Sequence, residues 1–272
     1  MQTELQHSLY TLLDDHDQVV TRSVTAEVLR QGPEMLSALE EIAFSESNLS
    51  VREEVVHRLE EIYYEMVINS MNGAVQLEEG VQFQLLDFAV LLTKLLYRGE
   101  DWRELVNAFV SKSAEMVMEL SKGMTAMESC GVFNHIFFHR FGFKALPSED
   151  DVSPGYQMPA TILNCGEGGK HVLMLLYFMF VQDCSLPVYP VEYRNTLIPA
   201  WIEEDKVLFC INIFNQGEMI FLPEEELVRK EYGYVPYAYL KKLHSLFLKE
   251  GDSVRVVLLE RILPNYQTLA DS

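Results

Sequence analysis

The sequence predicts an α+β fold: a helical N-terminal region, then helices packed on a small antiparallel sheet, with further helices closing the chain. Three observations carry this. Apolar residues recur at helical spacing through residues 1 to about 142. The pair Gly168-Gly169 opens an apolar helix over 171–182, which stops at Cys184-Ser185-Leu186-Pro187. Three strand-like segments follow, at 188–193, 197–202 and 207–213, and the turn Phe214-Asn215-Gln216-Gly217 closes them.

Taken in order, Val19, Val20, Val24, Val28 and Leu29 have helical spacing up to Gly32-Pro33. A second helix over 34–44 turns Leu36, Leu39 and Ile42 inward, so the two resemble one HEAT-type helical pair. No second copy follows at a fixed period, and a solenoid is not expected. Ser50-Val51-Arg52-Glu53 has capping-box spacing and predicts a helix to about Asn69, broken at Asn72-Gly73. The next helix spans 80–97 and is apolar on most sides. Another over 102–120 ends at Lys122-Gly123. Thr125-Ala126-Met127-Glu128 is a further capping box, opening a helix to about Phe141. Prolines and the run Glu149-Asp150-Asp151 make 146–158 a surface loop. Pro223-Glu224-Glu225-Glu226 suits the first turn of a short helix, and helices over 237–249 and 252–263 hinge at Gly251.

With 272 residues there is room for two domains, expected at 1–122 and 123–272. The net charge is −20, from 41 acidic and 21 basic residues, and the acidic excess is larger in the first of these regions. Such a surface repels phosphate backbones and anionic membranes, so neither nucleic acid nor a membrane is an expected partner. Cys130, Cys165, Cys184 and Cys210 share no CxxC spacing, which argues against a disulfide framework or zinc knuckle and fits a reducing cytoplasm. The start of the chain lacks the pattern of a signal peptide, and the longest apolar run falls well short of the roughly 20 residues a membrane helix needs.

Candidate chemistry is sparse. His135 and His139 have the i, i+4 spacing of helical zinc ligands, but Ile136, Phe137 and Phe138 between them supply no third donor. No metal and no cofactor are expected, and packing is the simpler role for the two rings. Cys165 precedes Gly166-Glu167-Gly168-Gly169-Lys170-His171, where a helix start, Lys170 and His171 would favour a thiolate. The competing reading is a small loop residue packed behind the helix. Cys184 and Cys210 read as core. The glycines at 166, 168 and 169 do not complete a phosphate loop.

Residues 168–217 resemble the transglutaminase-like superfamily, and more closely the bacterial SirB-type transglutaminase-like family. The residues that carry this are Phe133-Asn134-His135-Ile136-Phe137-Phe138, Phe141-Gly142-Phe143, Leu173 to Tyr177, Ser185-Leu186-Pro187-Val188-Tyr189 and Asn212-Ile213-Phe214-Asn215-Gln216-Gly217. Leu12-Leu13-Asp14-Asp15 and Gly32-Pro33 are similar to members with a helical N-terminal region. The resemblance implies Cys on the helix, His on the next strand and Asp beyond it. Here the helix reads Lys170-His171-Val172-Leu173, the strand position falls on Thr196, and the third falls on Asn212. Tyr156-Gln157 stands where many relatives carry an asparagine-serine pair.

The expectation is therefore a pseudo-enzyme, a transglutaminase-like protein without catalysis that binds a protein or peptide. Its degenerate cleft would be lined by Asn134, His135, His171, Thr196 and Asn212. A rival is a thiol amidase or transferase using Cys165 with His171 and Asn212. A third reading is a helical adaptor working through its acidic N-terminal region.

Overall fold

The computed structural model describes residues 2–76, 81–147 and 153–271. The chain divides into two compact units, residues 1–70 and 71–272. The expected boundary after Lys122 thus falls inside the second unit. The expected helix start at Gly80 and the acidic centre of the 146–158 loop lie outside the described residues.

The first unit holds α1 (Gln2–Leu13), α2 (Gln18–Gln31), α3 (Pro33–Ser45) and most of α4 (Leu49–Ala74). Asp17 caps α2 by accepting the Val19 N–H, and Pro33 begins α3, where a missing N–H costs nothing. Leu13, Val28, Leu39 and Val55 are fully buried in one core. The expected capping box at Ser50 is not formed. Asn48 takes the cap position, its side chain accepting the Ser50 N–H at 3.2 Å, so Ser50 lies within the helix. The helix also runs through Asn72-Gly73 to Ala74.

In the second unit α5 (Leu85–Leu96) begins at Leu85, and α6 (Trp102–Glu119) follows. Then comes α7 (Ala126–Asn134), with the expected Thr125–Glu128 capping box. α7 continues as a π-helical turn over His135–Arg140, whose widened spacing buries Ile136, Phe137 and Phe138 in succession. Two short parallel strands, β1 (Lys144–Ala145) and β2 (Glu167–Gly168), flank α8 (Pro159–Cys165). α9 (Lys170–Asp183) has every residue from Val172 to Val181 buried. It is the centre of this unit, and neighbours cover all its sides. Tyr177 packs edge-on against Phe133 and Phe137, and Phe180 lies 4.7 Å from Phe109 of α6. Gln182 receives the Leu85 N–H at 2.9 Å and donates to the Phe83 carbonyl at 2.7 Å, tying α5 to the end of α9.

The sheet is antiparallel in the order β6-β5-β4-β3-β7, built from β3 (Val188–Tyr193), β4 (Thr196–Glu203), β5 (Lys206–Asn212), β6 (Glu218–Ile220) and β7 (Leu227–Arg229). Both hairpins, β3–β4 and β4–β5, turn on two residues with positive φ, Arg194-Asn195 and Glu204-Asp205. These are primed turns, whose twist matches that of the flanking strands. The acidic segment expected as a short helix forms a single 3-10 turn, Glu224–Glu226. Three helices rather than two close the chain: α10 (Tyr234–Glu250), α11 (Ser253–Glu260) and α12 (Leu263–Asp271). Gly251 ends α10, and Pro264 sits in the first turn of α12, where proline is tolerated.

Candidate functional site

α10 packs against α9, and between their N-terminal ends lies a cavity of about 460 Å³. Lys170, His171 and Met174 enter it from the first turns of α9. The β3–β4 turn contributes Asn195, Thr196 and Leu197. Phe214 comes from the turn after β5, and Tyr234, Val235, Ala238 and Tyr239 from α10. The backbone delivers the turn residues: Asn195 at φ 65 reverses the chain so that Thr196 pairs back with Tyr193. Among the described residues the wall contains no carboxylate, and Lys170 brings its fixed charge. The Lys170 ammonium stands 5.7 Å from the Phe214 ring centre and pairs with no carboxylate among the described residues.

Of the residues expected to line a cleft, His171 and Thr196 meet here. Asn134 does not, because the core uses its whole amide. Its Nδ2 donates to the Gly217 carbonyl at 2.8 Å, and its Oδ1 accepts the Tyr177 hydroxyl at 2.8 Å. Gly217 sits at φ 78, and a Cβ there would lie 2.4 Å from Asn134 Cγ, so only glycine fits. His135 is exposed on the π-helical turn, its ring 5.4 Å from that of His139. Asn212 closes β5 and is absent from the cavity wall; its side chain accepts the Phe214 N–H at 3.2 Å, shaping the turn that carries Phe214.

Cys165 is neither packed behind the helix nor on it. It ends α8, is exposed, and its Sγ donates to the Glu167 carbonyl at 3.2 Å. The cavity wall does not include it. The other thiols are pushed up, mainly by burial: Cys130 and Cys184 to about 12 and Cys210 to about 11. Cys210 is core as expected, whereas Cys184 is half-buried at the end of α9. Among the described residues no three His, Cys, Asp or Glu side chains are grouped to hold a metal ion.

Sequence reasoning missed Lys170, Asn195 and the α10 tyrosines as parts of this site. Tyr239 is buried, and burial raises its hydroxyl well above the usual range, so it stays a donor. It donates to the Gln157 backbone carbonyl. Nothing in the periodicity of α10 marks the face that meets α9, since both of its sides carry aromatic rings.

A second cavity, about 550 Å³, is lined by Val75, Gln76, Val81, Gln82 and Phe83 and by Tyr232, Gly233 and Leu269. It contains none of the residues singled out above.

A family model described as the transglutaminase-like superfamily matches residues 100–256, more than half of the chain. No curated protein and no solved structure matches it. The match covers α6 through most of α11, and so takes in the whole cavity wall.

Proposed function

Because this chain belongs to the transglutaminase-like superfamily, we propose that it is a catalytically inactive member that binds a protein or peptide in the cavity at the head of α9. The observation that carries this reading is the first turn of α9 itself. It begins Gly169-Lys170-His171-Val172, with no thiol or hydroxyl where the superfamily's chemistry needs a nucleophile. Thr196 stands where a base would be required, and a nucleophile without a base gains little. What remains is a concave, largely apolar wall with a few polar groups, the composition of a binding site. The finer placement in the SirB-type family belongs to the same proposal. It rests on residues 133–143 and 212–217, where Asn134 and Gly217 join two of the quoted segments. A reducing cytoplasmic setting is also part of it, supported by four free cysteines.

The rival thiol mechanism requires Cys165 to work with His171 and Asn212. Its weakness is geometric: the cavity wall includes His171 but neither Cys165 nor Asn212. The test is an assay of amide hydrolysis and amine transfer on the purified protein beside a Cys165→Ala variant. The expected result is no turnover above that variant, because losing one member of such a triad already removes several orders of magnitude. Turnover that disappears on changing Cys165 or His171 would put the thiol mechanism in place of this reading.

A further inference from the structure

β6 and β7 lie at opposite edges of the sheet, so the chain between them, residues 221–226, crosses one of its faces as a strap. Leu222 holds the strap down on the cluster of Val191, Ala200, Ile202 and Cys210. Phe221 beside it is 73% exposed. A lone exposed ring means little, but this one has charged company. Glu224 and Glu225 follow it, exposed and in no ion pair among the described residues. Both ends of the strap are tied beside the α9 cavity. Before it, Glu218 of β6 accepts the Asn215 amide at 2.6 Å, next to Phe214 of the cavity wall. At its end, Glu226 pairs with Arg194 at 2.9 Å, next to Asn195 of the wall. The cavity has the complementary chemistry. Buried Met174, Val235 and Tyr239 line it with the 44% exposed Phe214, and Lys170 brings a cation that no carboxylate among the described residues neutralises.

We propose that the peptide bound in this cavity is the strap of a second copy of the chain, in a two-fold pair where each copy's Phe221 enters the other's cavity and Glu224 or Glu225 meets Lys170. This rests on reading the cavity as a binding site. A displayed ring with acids and an apolar cavity with a lysine, side by side on one surface, make that surface self-complementary, as a two-fold contact requires. The cavity, at about 460 Å³, has room for the ring. The strap does not line the cavity of its own copy, and its tied ends and Leu222 hold it on the sheet, so the occupant comes from outside. Two chains of charge −20 repel at long range. At physiological salt that field is screened within about 8 Å, which leaves the charges in contact to decide.

The experiment is sedimentation of the intact protein at physiological salt over a range of concentrations, where a dimer that dissociates on dilution is expected. Phe221→Ser and Lys170→Glu should each weaken dimerisation about tenfold or more while the chain still melts cooperatively. Adding Glu224→Lys and Glu225→Lys to Lys170→Glu should restore it, a rescue that damage to the fold would not give. In dilute, isotopically labelled protein, N-acetyl-Phe-Leu-Pro-Glu-Glu-Glu carboxamide should shift the backbone resonances of Thr196 and Phe214. A monomer at every concentration whose cavity still takes this peptide would overturn the second copy as occupant and leave the binding reading standing. A dimer indifferent to both substitutions would place its contact elsewhere and overturn the proposal. Assemblies growing beyond two chains would overturn the reciprocal closure. If the chain stays monomeric and the peptide moves no cavity resonance, the strap is not the occupant. Failure of the underlying reading shows separately, as turnover in the Cys165 assay.

Discussion

Asn134 shows how one residue can serve structure where a sequence motif suggests chemistry. Its amide joins α7, α9 and the turn at Gly217, and it also donates to the adjoining Cys130 thiol, which burial raises to about 12 against the lowering effect of that hydrogen bond. The thiols make a testable set. Cys165 is the exposed one, whereas Cys130, Cys184 and Cys210 are held protonated mainly by burial. A thiol reagent at neutral pH should therefore modify folded protein at Cys165 first, and peptide mapping after brief labelling would show it. Burial has a second consequence, for pH. The folded-state values of about 11 to 12 lie above the ordinary 9.0, so this contribution to stability is complete below about pH 9 and is lost as pH rises through 11 to 12. Burial pushes Tyr177 and Tyr239 the same way. Urea midpoints should fall steadily above about pH 9, and a midpoint unchanged up to about pH 11 would contradict this assignment. Little of the site was readable at this scale. His171 and Thr196 were reached through spacing and resemblance, but Lys170, Asn195 and Tyr239 meet through a hairpin turn and a helix contact that no local pattern records.

Among the elements, α9 is where local pattern and tertiary role coincide. Ten consecutive buried residues leave no polar face, and a helix with no polar face has to be surrounded. Leu176 is fully buried within it, so Leu176→Ala should cost about 2–5 kcal/mol, the range for large-to-small changes in a closed core. A thermal melt of that variant matching the parent would mean that α9 is peripheral. The strands were legible for a related reason: β3 spans the expected residues, and β4 and β5 begin one residue earlier. Turn chemistry was less so. The primed hairpin turns use Arg194-Asn195 and Glu204-Asp205 rather than the glycine pairs that usually announce them. Capping boxes divided: Thr125 caps α7, but at Ser50 an asparagine two residues earlier satisfied the first free N–H and extended the helix over the motif.

At the scale of the whole chain, the sequence placed a boundary at residue 122 because Lys122-Gly123 is a strong helix stop followed by a fresh capping box. A stop signal ends a helix; it does not say what that helix packs against. Here α5 and α6 belong to the same core as α9, through the Phe109–Phe180 contact, the Gln182 bonds to residues 83 and 85, and the Ser113–Asp183 hydrogen bond. The Arg255 guanidinium also donates to the Leu96 carbonyl at 2.9 Å, holding α5 to α11. Two truncations separate the boundaries. A chain of residues 71–272 keeps all of these contacts and should melt cooperatively, because its core is complete. A chain of residues 123–272 loses Leu85, Phe88, Leu92 and Phe109, all buried, and leaves one side of α9 bare. Burying each such side chain stabilises by about 1.5–3 kcal/mol, so losing four approaches the entire stability of a typical domain. That shorter chain should show no cooperative melt and should bind a dye for exposed apolar surface. The longer one also tests the adaptor reading. If residues 71–272 retain partner binding, residues 1–70 are not the working surface of such an adaptor, and if binding is lost from a chain that still melts cooperatively, they are.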